Sequence, residues 1–141
     1  MNHIGTNFDD FLKEEGIIMN DRFKFRVWNK ARQCFIPEKE IFICGNGELV
    51  LIDEALNRTW VKDNPNYAVS LCTGLKDKND KLIYEGDIVK DDHEALHFVK
   101  WCYNAFKLEP LFKNCYTIGI VDDEIEVIGN IYENKELLND R

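Results

Sequence analysis

The sequence is short of the features that would take it out of the globular class. Its three prolines and eight glycines gather into no low-complexity tract, no internal repeat is visible, and no linker is long enough to divide residues 19–141. Apolar runs last only a few residues, so nothing in the sequence spans a bilayer as a helix. The opening "MNHIGTNFDDFLKEEG" has no basic region, no apolar stretch and no small-residue cleavage site, which leaves the cytoplasm as the expected location. The five cysteines, at 34, 44, 72, 102 and 115, are odd in number and nowhere form a CxxC pair. That argues against a zinc ribbon or a dithiol redox centre. With neighbours such as "QCFI", "FICG" and "KWCY", they are expected to be buried or half-buried thiols of a reducing compartment.

What is present is enough for one packed domain. The chain has 141 residues, of which 45% are hydrophobic and 12% aromatic, and needs no disulfide or metal staple. Net charge is −8 and unevenly spread: residues 21–62 hold eight basic against six acidic side chains, residues 121–141 two against seven. The overall sign repels nucleic acid, while a local basic face on the first stretch stays open.

Periodicity divides the chain into a helical segment, residues 1–18, and a β domain, residues 19–141. In "TNFDDFLKEEGI" (6–17), Phe8, Phe11 and Leu12 make an i, i+3, i+4 stripe. Thr6 or Asn7 can cap the helix, Asp9 and Asp10 lie in its first turn, and Gly16 ends it. A helix this short must dock on something to be stable. From Phe23 the period becomes two: "RFKFRVW" puts Phe23, Phe25 and Val27 on one face and Arg22, Lys24 and Arg26 on the other. Residues 29–33 turn, and "CFIP" returns. "EIFICG" and "GELVLID" flank the hairpin signal Gly45-Asn46-Gly47. "EALNRTW" reads as a helical turn, and "DNPN" as a loop. "YAVSLCT", "KLIYEG", "DIVKDD", "HFVKWCY", "FKLEPLF" and "DEIEVIGN" read as strands, and "ENKELLND" as a last helical turn. Many short strands at roughly ten-residue intervals point to a mainly β barrel or sandwich.

The most distinctive stretch is "TGLKDKNDKLIYEGDIVK" (73–90): a strand, a charged hairpin tip, a return strand, a corner at Glu85-Gly86-Asp87 that glycine turns easily, and a further strand. It is similar to the signature of the YopX family, small proteins of bacteriophages and prophages. "FKFRVWNKARQCF", "VKW" with "FKLEPL", and "EVIGNIYENKELL" resemble further family segments in the same order, so the resemblance spans about residues 21–138. It implies a mainly β, barrel-containing fold in a phage or prophage setting, and carries no enzyme activity with it; the strand, hairpin and glycine-corner steps are those of a small SH3-like barrel, to which the short N-terminal helix is added. The chain departs from the family at the hairpin tip, where Asn79-Asp80 replaces the usual Asn-Gly and strains the turn a little. Residues 1–17 do not look like a YopX start. "HIGTNFDDFLKEEGI" resembles the opening of some helix-turn-helix antitoxins, without any recognition helix following.

Candidate chemistry is sparse. Asp91-Asp92-His93-Glu94, with His97 at i, i+4 from His93, offers oxygen and imidazole donors, but consecutive residues diverge and a third ligand is missing, so a polar connecting turn is expected. Gly45-Asn46-Gly47 lacks the lysine and the helix of a phosphate loop. No Ser-His-Asp order, Cys-His pair or spaced carboxylate dyad stands out, so catalytic residues, metal and cofactor are each expected to be none.

Two binding readings remain. In the first, a non-enzymatic protein binds a host protein, as an inhibitor of a bacterial defence system of the anti-CRISPR type or as a nucleic-acid mimic. Phe8, Phe11 and Leu12 then dock the partner, or a second copy in a homo-oligomer, and Asp122, Asp123, Glu124 and Glu126 supply charge. In the second, a nucleic-acid-binding accessory factor of phage replication or transcription uses Arg22, Lys24, Arg26 and Lys30 for phosphates and Trp28 for stacking. Neither reading involves a membrane.

Overall fold

The structure is a computed structural model that describes Asp21 and residues 23–111, 118–119 and 124–138. The expected helix with Phe8, Phe11 and Leu12, the antitoxin-like opening, Arg22, Cys115, Asp122 and Asp123 lie outside the described residues. The architecture is mainly β, as the alternation predicts. Among the described residues, twelve strands pair antiparallel throughout: β1 Phe25–Asn29, β2 Cys34–Phe35, β3 Ile41–Ile43, β4 Leu49–Ile52, β5 Arg58–Trp60, β6 Tyr67–Lys76, β7 Leu82–Tyr84, β8 Asp87–Lys90, β9 Leu96–Cys102, β10 Ala105–Pro110, β11 Ile118–Gly119 and β12 Glu126–Asn130. Short 3-10 turns occupy Glu38–Glu40 and Lys135–Leu138. Among the described residues, no helix is long and apolar enough to cross a membrane.

The strands form three sheets, ordered β2-β1-β6-β7, β3-β4-β5 and β11-β10-β9-β8-β12, and the five-stranded sheet curls into a half-barrel. Two apolar clusters result. Val27, Leu49, Leu51 and Val61 fill the space between the first two sheets, with Phe25 and Val69 packed against them. Ile83, Val89, Val99, Leu108 and Ile125 form a second core inside the half-barrel. Each uses the inward side chains of alternating strands, which is why the two-residue period was so legible.

"EALNRTW" is corrected from a helical turn. Asp53 Oδ1 accepts the N–H groups of Ala55 and Asn57, both at 2.9 Å, closing a loop that delivers Arg58–Trp60 against β4. Pairing with Ile52, Leu51 and Val50 outweighs a weak local helical preference over seven residues. The thiols differ as well: Cys72 is buried and Cys44 and Cys102 are half-buried, but Cys34 is exposed.

The hairpin of the 73–90 stretch is held by one carboxylate. Asp77 and Lys81 close it (Asp77 N–H to Lys81 C=O, 2.8 Å), Asp80 N–H reaches Asp77 C=O at 2.9 Å, and Asp80 itself is left-handed at φ 67°. This is a type I turn followed by a left-handed residue, where glycine is preferred. The buried Asp77 side chain accepts from Asn79 and Lys81 N–H, both 2.9 Å, and from Val127 N–H on β12 at 2.8 Å. Lys78 N–H also donates to Ile125 C=O at 3.0 Å, so the charged tip is stapled to the end of the chain.

Two expectations follow. Asp80→Gly removes the left-handed side chain at the small cost of an exposed Lys76 contact, and should raise stability by about 0.5–1 kcal/mol in urea unfolding. Burial pushes the Asp77 carboxyl up, but the three N–H donors outweigh it and hold its pKa below the usual carboxylate range. The unfolded chain therefore takes up this proton first. The stabilisation is complete above the unfolded-state value of about 3.9 and is lost as pH falls from there through the native value. Asp77→Asn should cost about 1–3 kcal/mol at neutral pH, with the gap to wild type closing below about pH 4. A gap independent of pH would show that the charge is not what holds the hairpin.

Candidate functional site

The corner Glu85-Gly86-Asp87 joins the two halves of the molecule. Gly86 has φ 87°, a backbone conformation that selects glycine, while a Cβ there would meet Ile131 at an ordinary contact distance of 3.4 Å. The backbone groups of the corner reach three different segments. Glu85 N–H donates to Leu71 C=O (2.9 Å), Gly86 N–H to Val99 C=O (2.7 Å), and Gly86 C=O accepts from Ile131 N–H (2.9 Å). Asp87 is 1% exposed and accepts from Arg26 Nη2 at 2.7 Å and from Tyr84 N–H at 2.8 Å. The Arg26 guanidinium lies between the rings of Tyr84 (4.4 Å to the centroid) and Phe35 (4.9 Å). Burial pushes the Asp87 carboxyl up, against the opposing pull of Arg26 and the Tyr84 N–H, and burial likewise pushes the Tyr84 phenol up to about 12.

This seam absorbs part of the expected basic face. Trp28 is 3% exposed, stacked on Tyr132 (5.5 Å) and edge-on to Phe35 (4.9 Å). Arg26 and Trp28 thus fill the inside of a junction, while Lys30 is exposed in the β1–β2 turn and Lys24 is half-exposed beside Asp21 at 3.4 Å. The four described residues, Lys24, Arg26, Trp28 and Lys30, do not form one open surface. Of the acidic run, Glu124 is exposed, and Glu126 is half-buried with Lys78 at 3.7 Å.

The Asp91–Glu94 segment is a turn organised by its own first residue. Asp91 Oδ1 accepts from His93 and Ala95 N–H (2.9 and 2.8 Å), and Oδ2 meets His97 Nε2 at 2.9 Å. His97 is buried on β9 and His93 is exposed at the tip, so the pair does not converge. A polar hollow of about 270 Å³ lies beside Asn29, Arg32, Glu40 and Asp53. Hydrogen bonds to Asn57 hold the Asp53 carboxyl below its ordinary range, since both oxygens serve the loop.

The most open feature was visible in sequence only as a supply of aromatics. β9 and β10 are joined by the two-residue turn Tyr103-Asn104, both left-handed (φ 49° and 62°). Such a turn matches strand twist but asks for Asn-Gly. Tyr103 is 88% exposed, and its inward contact is the Lys107 ammonium at 5.3 Å from the ring. Directly across the ladder, Trp101, 50% exposed, meets Phe106 edge-on at 4.9 Å. Lys100 and Glu109 form an ion pair on the same two strands. The signal was there in "WCYNAF": a two-residue turn between alternating strands, with a tyrosine where a small residue belongs.

The family described as YopX protein matches residues 24–139. The crystal structure of protein EF1440 from Enterococcus faecalis is similar in fold, with a TM-score of 0.56 at 23% identity, covering 82% of this chain and 96% of that one. No curated protein matches the chain. The match begins at residue 24, so the antitoxin-like resemblance of the opening residues gains no support from it.

The seam can be tested directly. Arg26→Met leaves Asp87 buried without its cation and should cost about 3–5 kcal/mol in urea unfolding. Arg26→Met with Asp87→Asn keeps an acceptor for Tyr84 N–H and should recover at least half of that loss. Additive losses in this double-mutant cycle would show that the two side chains act separately.

Proposed function

Because the chain belongs to the YopX protein family, we propose that it is a non-enzymatic protein of phage or prophage type that binds a host protein and thereby inhibits a bacterial defence system. Family membership supports the phage setting, and the curled half-barrel is taken as an SH3-like scaffold. One observation carries the binding proposal: the β9–β10 tip, with Trp101 and Tyr103 in water and Tyr103 held left-handed. A left-handed tyrosine costs about 1 kcal/mol relative to glycine, and here it returns almost no burial. Exposed Trp and Tyr on a rigid hairpin are the side chains that anchor protein interfaces, since each brings large contact area for few rotatable bonds. The net charge of −8 and the acidic run ending at Glu124 and Glu126 supply complementarity to a basic partner. In the strongest form, the surface imitates nucleic acid toward a nuclease or regulator.

The same aromatics beside Lys100 and Lys107 also favour a second reading, in which bases of single-stranded nucleic acid stack on the tip of an accessory factor in phage replication or transcription. The net charge opposes it.

Tagged full-length protein should capture a host protein from lysate equally with and without nuclease. Tyr103→Gly should keep or raise stability while reducing capture at least about tenfold, and Trp101→Ser should reduce it similarly. Unchanged capture by both variants would remove the tip as the site. Capture that needs nucleic acid, with a gel shift that weakens in salt, would replace the first reading by the second.

A further inference from the structure

The two-sheet unit at the start of the chain is open at one end. Phe25 on β1 faces Leu71 on β6 across the ladder, and Ile43 on β3 faces Leu49 on β4. Val27, Leu51 and Val61 close the interior, but toward the chain start Ile43 and Leu71 are exposed and Phe23 is 60% exposed. Two adjoining hollows of about 520 and 160 Å³ share Phe25 and Leu49. Apolar side chains left around such a mouth lose about 25 cal/mol for every Å² that stays wet, so a cover is favoured.

The described chain begins at this mouth. Asp21 and Lys24 lead straight into β1 (Lys24 N–H to Asp21 C=O, 3.4 Å), and Phe23 lines the smaller hollow. Immediately upstream come Ile17, Ile18 and Met19, and before them the i, i+3, i+4 stripe of Phe8, Phe11 and Leu12. From Asp21, the nine-residue path to Leu12 spans at most about 30 Å extended, enough to lay the stripe over the mouth. A tether this short gives an effective concentration in the millimolar range, which a second copy in dilute solution cannot match.

We propose that the open mouth between β1/β6 and β3/β4 is the seat of this chain's own residues 4–19, with Phe8, Phe11 and Leu12 against Phe25, Ile43 and Leu71. The amphipathic segment then completes the first core, because Asp9, Asp10 and Glu14 lie off the apolar stripe, while Glu15, i+4 from Phe11, continues it at the rim of the mouth. This seat does not depend on the partner proposed above.

A photo-reactive benzoylphenylalanine placed at Leu71 of the full chain, irradiated at low micromolar concentration, tests it. Mass mapping should find cross-links to residues 4–19 within the monomer band, and the same reagent at Tyr103 should give none there. Phe8→Ser with Phe11→Ser and Leu12→Ser should reduce the yield about tenfold. Because Leu71 is exposed, the reagent should not disturb folding, and a second placement at Ile43 guards against a local artefact. A cross-linked dimer, cross-links elsewhere, none at either position, or a yield untouched by the triple change would each overturn the proposal.

Discussion

Arg26 and Asp87 meet between two separate apolar clusters, beside the Trp28–Tyr132 stack that crosses the same junction. A chain of 141 residues with two small cores has limited burial to spend on holding them in register. A buried ion pair contributes little net stability compared with a hydrophobic replacement, but it is directional. Asp87 is reached by one guanidinium nitrogen and one backbone N–H, and the guanidinium is clamped between two rings. An orientation error of the two sheets would strand a charge in a dry place. The pair therefore penalises wrong arrangements more than it rewards the right one.

The corner around it works the same way. Gly86 carries no side chain because its backbone is left-handed at φ 87°, and the hydrogen bonds of Glu85 and Gly86 reach β6, β9 and the segment after β12. Tyr132 from that segment stacks on Trp28 of β1. Chain end, chain start and middle thus meet at one place, and Asp77 repeats the device one hairpin away by tying the tip to β12. The eighteen residues 73–90 are spent on junctions. That accounts for a segment that is highly ordered and still matches no catalytic motif.

Strand existence was legible where apolar and polar side chains alternate, as in β1, because the pattern of two is written directly in the side chains, and in β4, where Leu49–Ile52 is a short continuous apolar run. The corner at Gly86 and the strained tip at Asp80 were legible too, since glycine and left-handed turns leave local marks. What stayed hidden depends on neighbours distant in sequence. Arg26 and Trp28 alternate with the core residues, so local pattern assigns them to solvent, and only the arrival of Tyr84, Asp87 and Tyr132 shows that this second face is covered as well. β5 was missed because three residues carry almost no periodicity, and Leu49–Ile52 supplies the reason for its extension.

Among the described residues, seven other than glycine adopt left-handed backbone, and most are compensated locally. Gln33 returns a side-chain bond to Lys30 C=O, Leu56 sits in the loop that Asp53 closes, and Glu94 in the turn that Asp91 closes. Asp80 is held by Asp77 and its β12 partner. Tyr103 stands apart: its ring is in water, and a lysine 5.3 Å away is a weak return for a bulky residue in that conformation. Where a sequence breaks a local rule and the fold supplies no compensation, the reason lies outside the fold. By that criterion the β9–β10 tip is the part of the described surface on which the proposed partner binding rests.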